Sequence, residues 1–304
     1  MGLNTIDIHA LEKGDIRQLA RAISLVENEL PEGKKLLASL PFNQHVPVVG
    51  ITGPPGAGKS SLVNALIHRL LKEGKKIGVL AVDPTSPFNF GSLLGDRIRM
   101  SDHFNHPDVY IRSLATRGSL GGLSAKIYEI TDVMRHAGFD IILIETVGVG
   151  QSEVEIAGLA DTTAVVLVPE AGDEVQTLKS GLMEIADLFI VNKSDREGAD
   201  IFVKNLNALV HQREDTGWTI PVIKTVATTQ SGIAEVWSAL LSHEAFNLSH
   251  ERKVLLMVEK AWQLIMHHRM ANINRKDLLK DIQAASGVKG FNLYVYLEKH
   301  YYNS

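Results

Sequence analysis

The chain has 304 residues and a formal net charge of −4, and apolar and charged residues make up 45% and 22% of it. This is an ordinary globular composition, and so small a charge gives no reason to expect nucleic acid or an anionic membrane as a partner. Because the chain has no cysteine, disulfides, zinc–thiolate sites, iron–sulfur clusters and thiol catalysis are excluded.

The first segment, residues 1–45, is predicted to be a helical arm. Asp15 is a suitable N-cap for it, and Pro31-Glu32-Gly33 interrupts it. Apolar side chains recur there at three- to four-residue steps, at Ile16, Leu19, Ile23, Val26 and Leu30. The segment lacks the basic start and apolar core of a secretory leader, and no apolar run in the chain approaches the roughly 20 residues that span a bilayer. We therefore expect a cytoplasmic protein.

Residues 46–242 alternate between short apolar runs and helical stretches. Strands are predicted at 46–52, 76–83, 109–114, 140–145, 163–169, 186–192 and 221–225. These runs are rich in β-branched residues and carry few polar ones, as in strands buried on both faces of a parallel sheet. Helices are predicted between most of them, including 60–72, 122–137 and 231–241. Right-handed crossovers then give an α/β fold with a doubly wound, mostly parallel sheet.

The last segment, residues 243–304, loses the strand pattern and is predicted to be a helical extension. One helical face there carries Val254, Val258, Ala261, Trp262, Ile265 and Met266. Such a stripe either packs on its own core or covers the same stripe of a second copy. We favour the second reading, so the segment predicts a homodimer.

A glycine-rich turn, GPPGAGKSS, follows the first strand and fits the pattern G-x-x-x-x-G-K-[ST]. Glycine leaves backbone N–H groups free to surround a phosphate, and the helix that follows adds its own free N–H groups and positive dipole end. Lys59 is expected to reach the β- and γ-phosphates, and Ser60 to bind Mg²⁺. The predicted phosphate-binding residues are Gly53, Pro55, Gly56, Ala57, Gly58, Lys59, Ser60 and Ser61. The pattern predicts a nucleoside triphosphate; the alternative is a chance glycine-rich turn.

The run NKSD, residues 192–195, follows the sixth strand and bears on the choice of base. The Asp195 carboxylate can accept hydrogen bonds from guanine N1–H and its exocyclic amine, whereas adenine offers a lone pair at N1. Asn192 is expected to bond the base edge and the phosphate loop, and the Lys193 stem to cover the ring. Val226 and Ala227 end the next strand, where a backbone amide can meet guanine O6. Since a short pattern gains weight from its place after a strand, GTP and GDP are favoured over ATP.

Acidic residues at strand ends predict the metal site. Asp83 and Glu145 end buried strands at the carboxyl edge of the sheet, where ligands bind, and Asp96 is a third candidate. Each acid has a plainer reading as a helix cap or a turn residue. Gly148 can meet the γ-phosphate, so residues 146–153 are predicted to be a switch.

The position after this switch glycine predicts a slow reaction. Ras-like GTPases place a water-orienting glutamine there, whereas this chain has Val149, with Gln151 two residues later. We expect slow GTP hydrolysis by the isolated chain.

Taken together, the segments GPPGAGKSSL, VLAVDPTSP, GSLLGDRIRM, ETVGVGQSE and MEIADLFIVNKSD resemble the MeaB/ArgK group of GTPases over at least residues 46–240. The group belongs to the SIMIBI-type P-loop GTPases, with the signal-recognition-particle and metallocentre-assembly GTPases. Its members are chaperones of adenosylcobalamin-dependent methylmalonyl-CoA mutase, and the resemblance implies that mutase as partner. It also implies a role in gating cofactor loading, and a homodimer.

For individual residues, the resemblance implies that Asp83, Asp96 and Glu145 surround the magnesium ion and the attacking water. It also implies that residues 170–181 form an extra mobile element, switch III. The switch III candidates are Asp173, Glu174, Gln176 and Lys179. Two positions depart from the family: Glu170 and Phe90 stand where it usually has glycine.

Two other functions share parts of this pattern. A nickel-metallocentre GTPase has the same core but needs metal ligands; the absence of cysteine argues against it, while 12 histidines leave it open. A P-loop small-molecule kinase usually selects adenine, which the NKSD run disfavours. Partner mutases for other acyl-CoA substrates also remain open.

Overall fold

The computed structural model describes residues 6–41, 43, 45–83, 101–115, 126–146, 148, 152–170, 181–212, 217–246, 250–270, 273, 275–288 and 290–302. The chain falls into two compact units, Met1–Lys260 and Ala261–Ser304. The predicted boundaries at residues 45/46 and 242/243 stay a prediction.

A parallel sheet of seven strands organises the first unit. The strands are β1 (Val48–Thr52), β2 (Ile77–Asp83), β3 (Val109–Ala115), β4 (Ile141–Glu145), β5 (Thr162–Leu167), β6 (Leu188–Val191) and β7 (Val222–Lys224). They lie in the order β3-β2-β4-β1-β5-β6-β7, and all six pairings are parallel. The predicted fold class is confirmed, with each predicted strand found within two residues of its expected bounds.

Helices connect most of the strands and extend the chain at both ends. The α-helices are α1 (Ile8–Glu12), α2 (Ile16–Glu27), α3 (Pro31–Ser39), α4 (Lys59–Lys72), α5 (Lys126–Arg135), α6 (Ser152–Glu155), α7 (Leu182–Ile185), α8 (Ala199–Val210), α9 (Ile233–Phe246), α10 (His250–Met270), α11 (Arg275–Ser286) and α12 (Leu293–Leu297). Short 3₁₀ segments lie at Ser101–His103, Ile156–Gly158 and Ala227–Thr229, and a π-helical turn at Glu298–Tyr302.

The helices cover both faces of the sheet. Helices α4 and α9 share a core with one face of the strands. On the other face, α2 and α5 cover one part of the sheet and α8 covers the other. Strand side chains alternate between the two sides, so that Leu80 of β2 joins the α2 core and Val79 joins the α4 core. The site-bearing carboxyl ends of the strands are therefore held by cores on both faces.

The N-terminal helices contribute directly to one of these cores. Asp15 caps α2 by accepting hydrogen bonds from the N–H groups of Arg17 and Gln18, at 2.8 and 3.1 Å. The predicted apolar face is found in part: Leu19, Ile23 and Val26 are buried, whereas Ile16 and Leu30 at its two ends are exposed. The predicted break in the helical arm is found, but it lies at residues 28–30, and Pro31-Glu32-Gly33 begins α3 instead of interrupting a helix.

The buried face of α2 gives a stability prediction. Ile23 is 0% exposed and packs in the α2 core, so Ile23→Ala is expected to lower the free energy of unfolding by about 2–5 kcal/mol through lost burial and a cavity. Ile16 on the same helix is 40% exposed, and Ile16→Ala is the matched control, with a change of about 0.5 kcal/mol or less. Urea denaturation measures both. Equal effects would contradict the burial of this helix against the sheet.

Beyond α9, the chain exposes many apolar side chains. In α10, Val254, Val258, Trp262, Ile265 and Met266 are all more than a third exposed in the single chain. The predicted helical character of the segment is found, whereas its role in a dimer stays a prediction. None of the helices within the described ranges combines the length and apolar character needed to cross a bilayer.

Candidate functional site

The glycine-rich turn joins the central strand β1 to helix α4. Gly58 precedes the helix in the left-handed region, at φ 85°, and a Cβ on it would lie 2.4 Å from Asn192 Nδ2. Only glycine fits this position, because a side chain would be both strained and blocked. Asn192 Nδ2 donates to the carbonyl of Ala57 at 2.9 Å, so the turn is fixed to the end of β6. Pro55 and Gly56 are exposed at the tip of the turn.

Lys59 lies inside this turn. Its side chain is buried, and Nζ donates to the carbonyl oxygens of Gly53 and Pro54 at 2.8 and 3.0 Å. The ammonium is thus held in the turn that precedes α4, at the positive end of the helix dipole. The buried positive charge and the helix N-terminus together form an anion-binding site.

Ser60 and Glu145 form a second contact at the base of the turn. Ser60 Oγ donates to Glu145 Oε1 at 2.6 Å, and both residues are buried. They meet because β4 lies beside β1, with Ile51 paired to Glu145. A hydroxyl and a carboxylate side by side are the hard oxygen donors that Mg²⁺ prefers, so these two residues fit a magnesium ion.

The other two predicted metal ligands are only partly described. Asp83 ends β2, the other neighbour of β4, at the same carboxyl edge; its side chain and all of Asp96 lie outside the described residues. Among the described side chains, no group of three or more His, Cys, Asp or Glu is placed to hold a metal.

Gly148 lies against the lysine. Its φ is 83°, and a Cβ there would be 2.4 Å from Lys59 Nζ and 2.5 Å from the carbonyl oxygen of Gly53. The predicted switch glycine therefore touches the group expected to hold the terminal phosphates. Val149, Gln151, Phe90 and the switch III candidates Asp173, Glu174, Gln176 and Lys179 lie outside the described residues.

The close approach of Gly148 to Lys59 predicts that one methyl group added at residue 148 slows GTP hydrolysis strongly. Gly148→Ala is expected to lower the rate of GTP hydrolysis by about 10-fold or more, because the new Cβ displaces Lys59 from the phosphates. Single-turnover hydrolysis of GTP measures the rate. Gly74→Ala is the control, since Gly74 also has a positive φ of 70° but an added Cβ there meets nothing within 4 Å. Equal rates for the two variants would contradict the proposed position of Gly148.

Asn192 also connects the site to β7. Its Oδ1 accepts hydrogen bonds from the backbone N–H of Ala227 at 3.1 Å and from the hydroxyl of Thr225 at 3.2 Å. One buried amide thus links the phosphate loop with the turn after β7. Asparagine suits this position because its side-chain amide can donate to the phosphate loop and accept from the residues after β7 at the same time.

A pocket of about 180 Å³ opens beside this amide. It brings together the predicted residues Gly58, Ser61, Asn192, Lys193, Asp195, Val226 and Ala227. Lys193 has a left-handed backbone, at φ 56°, and its Nζ donates to the carbonyl of Gly56 at 2.7 Å. The lysine stem therefore bridges from the NKSD run to the phosphate loop and forms a wall of the pocket.

Sequence reasoning missed two residues that line the same pocket, Arg196 and Thr228. Arg196 directly follows Asp195, and this adjacency was the available signal. Thr228 lies in the 3₁₀ turn after β7, and nothing in its sequence context distinguishes it.

Comparisons with known proteins identify the family of this chain. The family model for the methylmalonyl-CoA mutase-associated GTPase MeaB matches residues 19–282. A putative GTPase of Pyrococcus horikoshii is 50% identical over 244 residues, which is 79% of this chain and 77% of that protein. The mouse methylmalonic aciduria type A homolog, a mitochondrial protein, is 38% identical over 250 residues, 76% of this chain and 60% of that protein.

A solved structure described as a LAO/AO transport system kinase is also similar. It superposes with a TM-score of 0.71 at 27% identity, covering 96% of this chain and 94% of that one. The family match covers most of the chain, and both the family model and the Pyrococcus relative carry the name GTPase. The chain belongs to the MeaB family of methylmalonyl-CoA mutase-associated GTPases, binds guanine nucleotides and hydrolyses GTP.

Proposed function

We propose that this GTPase is the chaperone of an adenosylcobalamin-dependent acyl-CoA mutase, with methylmalonyl-CoA mutase as the first choice. Its GTP cycle would gate the loading of intact cofactor and the release of damaged cofactor. The observation that carries this proposal is the family match over residues 19–282, whose description names that mutase. The likeness to the mouse methylmalonic aciduria protein supports it.

Within the site, each group has a proposed role. The turn after β1 holds the phosphates, Lys59 neutralises their charge, and Gly148 contacts the terminal phosphate. Asp195 accepts hydrogen bonds from guanine, and a backbone amide in the turn after β7 donates to guanine O6. The placement of these groups around one pocket and one anion-binding turn supports the proposed roles.

Magnesium would be held by Ser60 and Glu145, with Asp83 and Asp96 as further ligands or water-binding groups. The ion, when bound, offsets negative charge on the phosphate oxygens. The contact between Ser60 Oγ and Glu145 Oε1 supports this assignment. Slow intrinsic hydrolysis remains expected from Val149, and the partner would accelerate it.

The proposed assembly is a homodimer formed through the C-terminal segment. Its support is the exposed apolar stripe of α10, because contiguous apolar surface of this kind marks an interface. Light scattering that found only monomer at working concentration would contradict it.

The chaperone role is tested by GTP turnover with purified mutases. We expect turnover by the chain alone to be well below ten per second, and addition of methylmalonyl-CoA mutase to raise it at least about 10-fold, as partners do for other slow GTPases. Lys59→Ala in the same mixture is the control for contaminating GTPases. Stimulation by an isobutyryl- or ethylmalonyl-CoA mutase instead would reassign the partner. Unchanged turnover with all three mutases would contradict the chaperone role while leaving the GTPase activity intact.

A further inference from the structure

An ion pair joins the end of β5 to the base pocket. Glu170 lies three residues after β5, and Arg196 directly follows Asp195 and lines the pocket. Arg196 Nη1 donates to Glu170 Oε1, and both side chains are about half exposed. The two residues meet because β5 and β6 are neighbours, so their carboxyl ends lie side by side.

This ion pair is one of three anchors on the turn that carries Asp195. Lys193 is tied to the phosphate loop through the carbonyl of Gly56, at 2.7 Å. Ser194 is tied to the end of β7, since its N–H and its hydroxyl both donate to the carbonyl of Thr225 at 3.0 Å. Arg196 is tied to Glu170.

The turn is also closed on itself, because the N–H of Arg196 donates to the carbonyl of Lys193 at 3.1 Å. Asp195 is the third residue of this turn, and its exposed side chain lines the pocket. Fixing Lys193, Ser194 and Arg196 to three different elements therefore fixes the backbone from which the Asp195 side chain projects.

The charge of Glu170 cannot itself favour nucleotide binding, so a favourable effect of Glu170 must be positional. The hydrogen bond from Arg196 is the main cause that lowers the pKa of Glu170, with a backbone hydrogen bond and the nearby charge of Lys193 adding to it. Glu170 is therefore a carboxylate at neutral pH. A negative charge near a site for an anionic nucleotide weakens binding by simple Coulomb repulsion. Any gain from Glu170 must come from the position that it gives to Arg196.

We infer that Glu170 is a positioning residue of the guanine pocket, which holds Arg196 and thereby aims Asp195 at the base. This inference rests on the proposed role of Asp195. It assigns a function to Glu170, one of the two residues that stand where the family usually has glycine.

The test compares Glu170→Ala with a matched control for GDP and IDP binding. IDP lacks the exocyclic amine that Asp195 accepts, so a misaimed carboxylate costs GDP more than IDP. We expect Glu170→Ala to weaken GDP binding about two- to fivefold, the size of an exposed ion pair, with a smaller effect on IDP. Glu170→Gln, which can still accept from Arg196, is expected to fall between Glu170→Ala and the wild type. Asp200→Ala removes an exposed ion pair with Lys224 outside the pocket and is expected to change neither affinity.

Arg196→Ala completes the experiment. If Glu170 acts through Arg196, the double variant binds GDP no worse than Arg196→Ala alone. Additive losses would overturn the inference, as would tighter GDP binding by Glu170→Ala, the sign that charge alone predicts. An unchanged preference for GDP over IDP in Glu170→Ala would also overturn it. Failure of the wild-type chain to prefer GDP over IDP would instead remove the role of Asp195, and this inference with it.

Discussion

Replacing Asp195 by Asn is expected to move the nucleotide preference from guanine to xanthine. The asparagine amide would face two donors of guanine, N1–H and the exocyclic amine, and one of them would lose its acceptor. Xanthine carries a carbonyl in place of that amine, and the carbonyl can accept from the asparagine NH₂. A site built for hydrogen bonds rejects a ligand that leaves its polar groups unpaired, so GTP affinity should fall by about 10²-fold or more while XTP binding appears.

Fluorescent GDP and XDP titrations measure this change. Asp200→Asn is the matched control, because Asp200 is an exposed carboxylate near the same turn that pairs with Lys224 and lines no part of the pocket. Retention of tight GDP binding by Asp195→Asn would show that the pocket beside Asn192 is not the base site. The identity of the chain as a GTPase would then require another base-binding surface.

Lys59→Ala is expected to abolish most of the GTP hydrolysis, with a loss of about 10²- to 10³-fold in rate. The Lys59 ammonium is buried in the turn beside Gly53, Pro54 and Gly148, and a preorganised charge of this kind is worth several kcal/mol toward a developing negative charge. Alanine also leaves the carbonyls of Gly53 and Pro54 without their donor.

Single-turnover assays at saturating GTP separate the chemical step from binding. Lys72→Ala is the control, because Lys72 lies in the last turn of the same helix and is exposed. Circular dichroism of both variants checks that the fold is retained. A loss of less than about threefold by Lys59→Ala would mean that this lysine does not touch the reacting phosphates.

The sheet was predictable because parallel strands buried on both faces have a strong local signal. Strands β4 and β5 are mostly apolar, and every residue in them is buried. The phosphate turn was predictable for a related reason, since its glycines are required by local backbone geometry. The order of the strands gave no such signal, because it depends on packing between elements that are far apart in the chain.

Contacts between strand ends were the hardest part of the site to predict. Glu170 and Arg196 are 26 residues apart in the chain, and only the pairing of β5 with β6 brings them together. Glu170 was identified as an unusual residue, but its partner was not. The double role of Asn192 was foreseen toward the phosphate loop, whereas its bonds to Thr225 and Ala227 needed the position of β7. Local sequence patterns thus predicted the individual site residues, whereas the contacts between these residues depend on the fold.

The spacing of the neighbouring strands β1, β5, β6 and β7 sets the length of the ligand that can reach from the phosphate turn to the base pocket. The phosphate turn follows β1, and the wall of the base pocket reaches the residues after β7, three strand intervals away. At about 4.8 Å per interval, this distance is roughly 14 Å. Backbone hydrogen bonds between the strands therefore set the distance between the phosphate turn and the base pocket. Side-chain substitutions leave this distance unchanged. A mononucleotide bound as proposed would span that distance and contact residues that follow β1, β6 and β7, so its departure would remove a contact that three strand ends share.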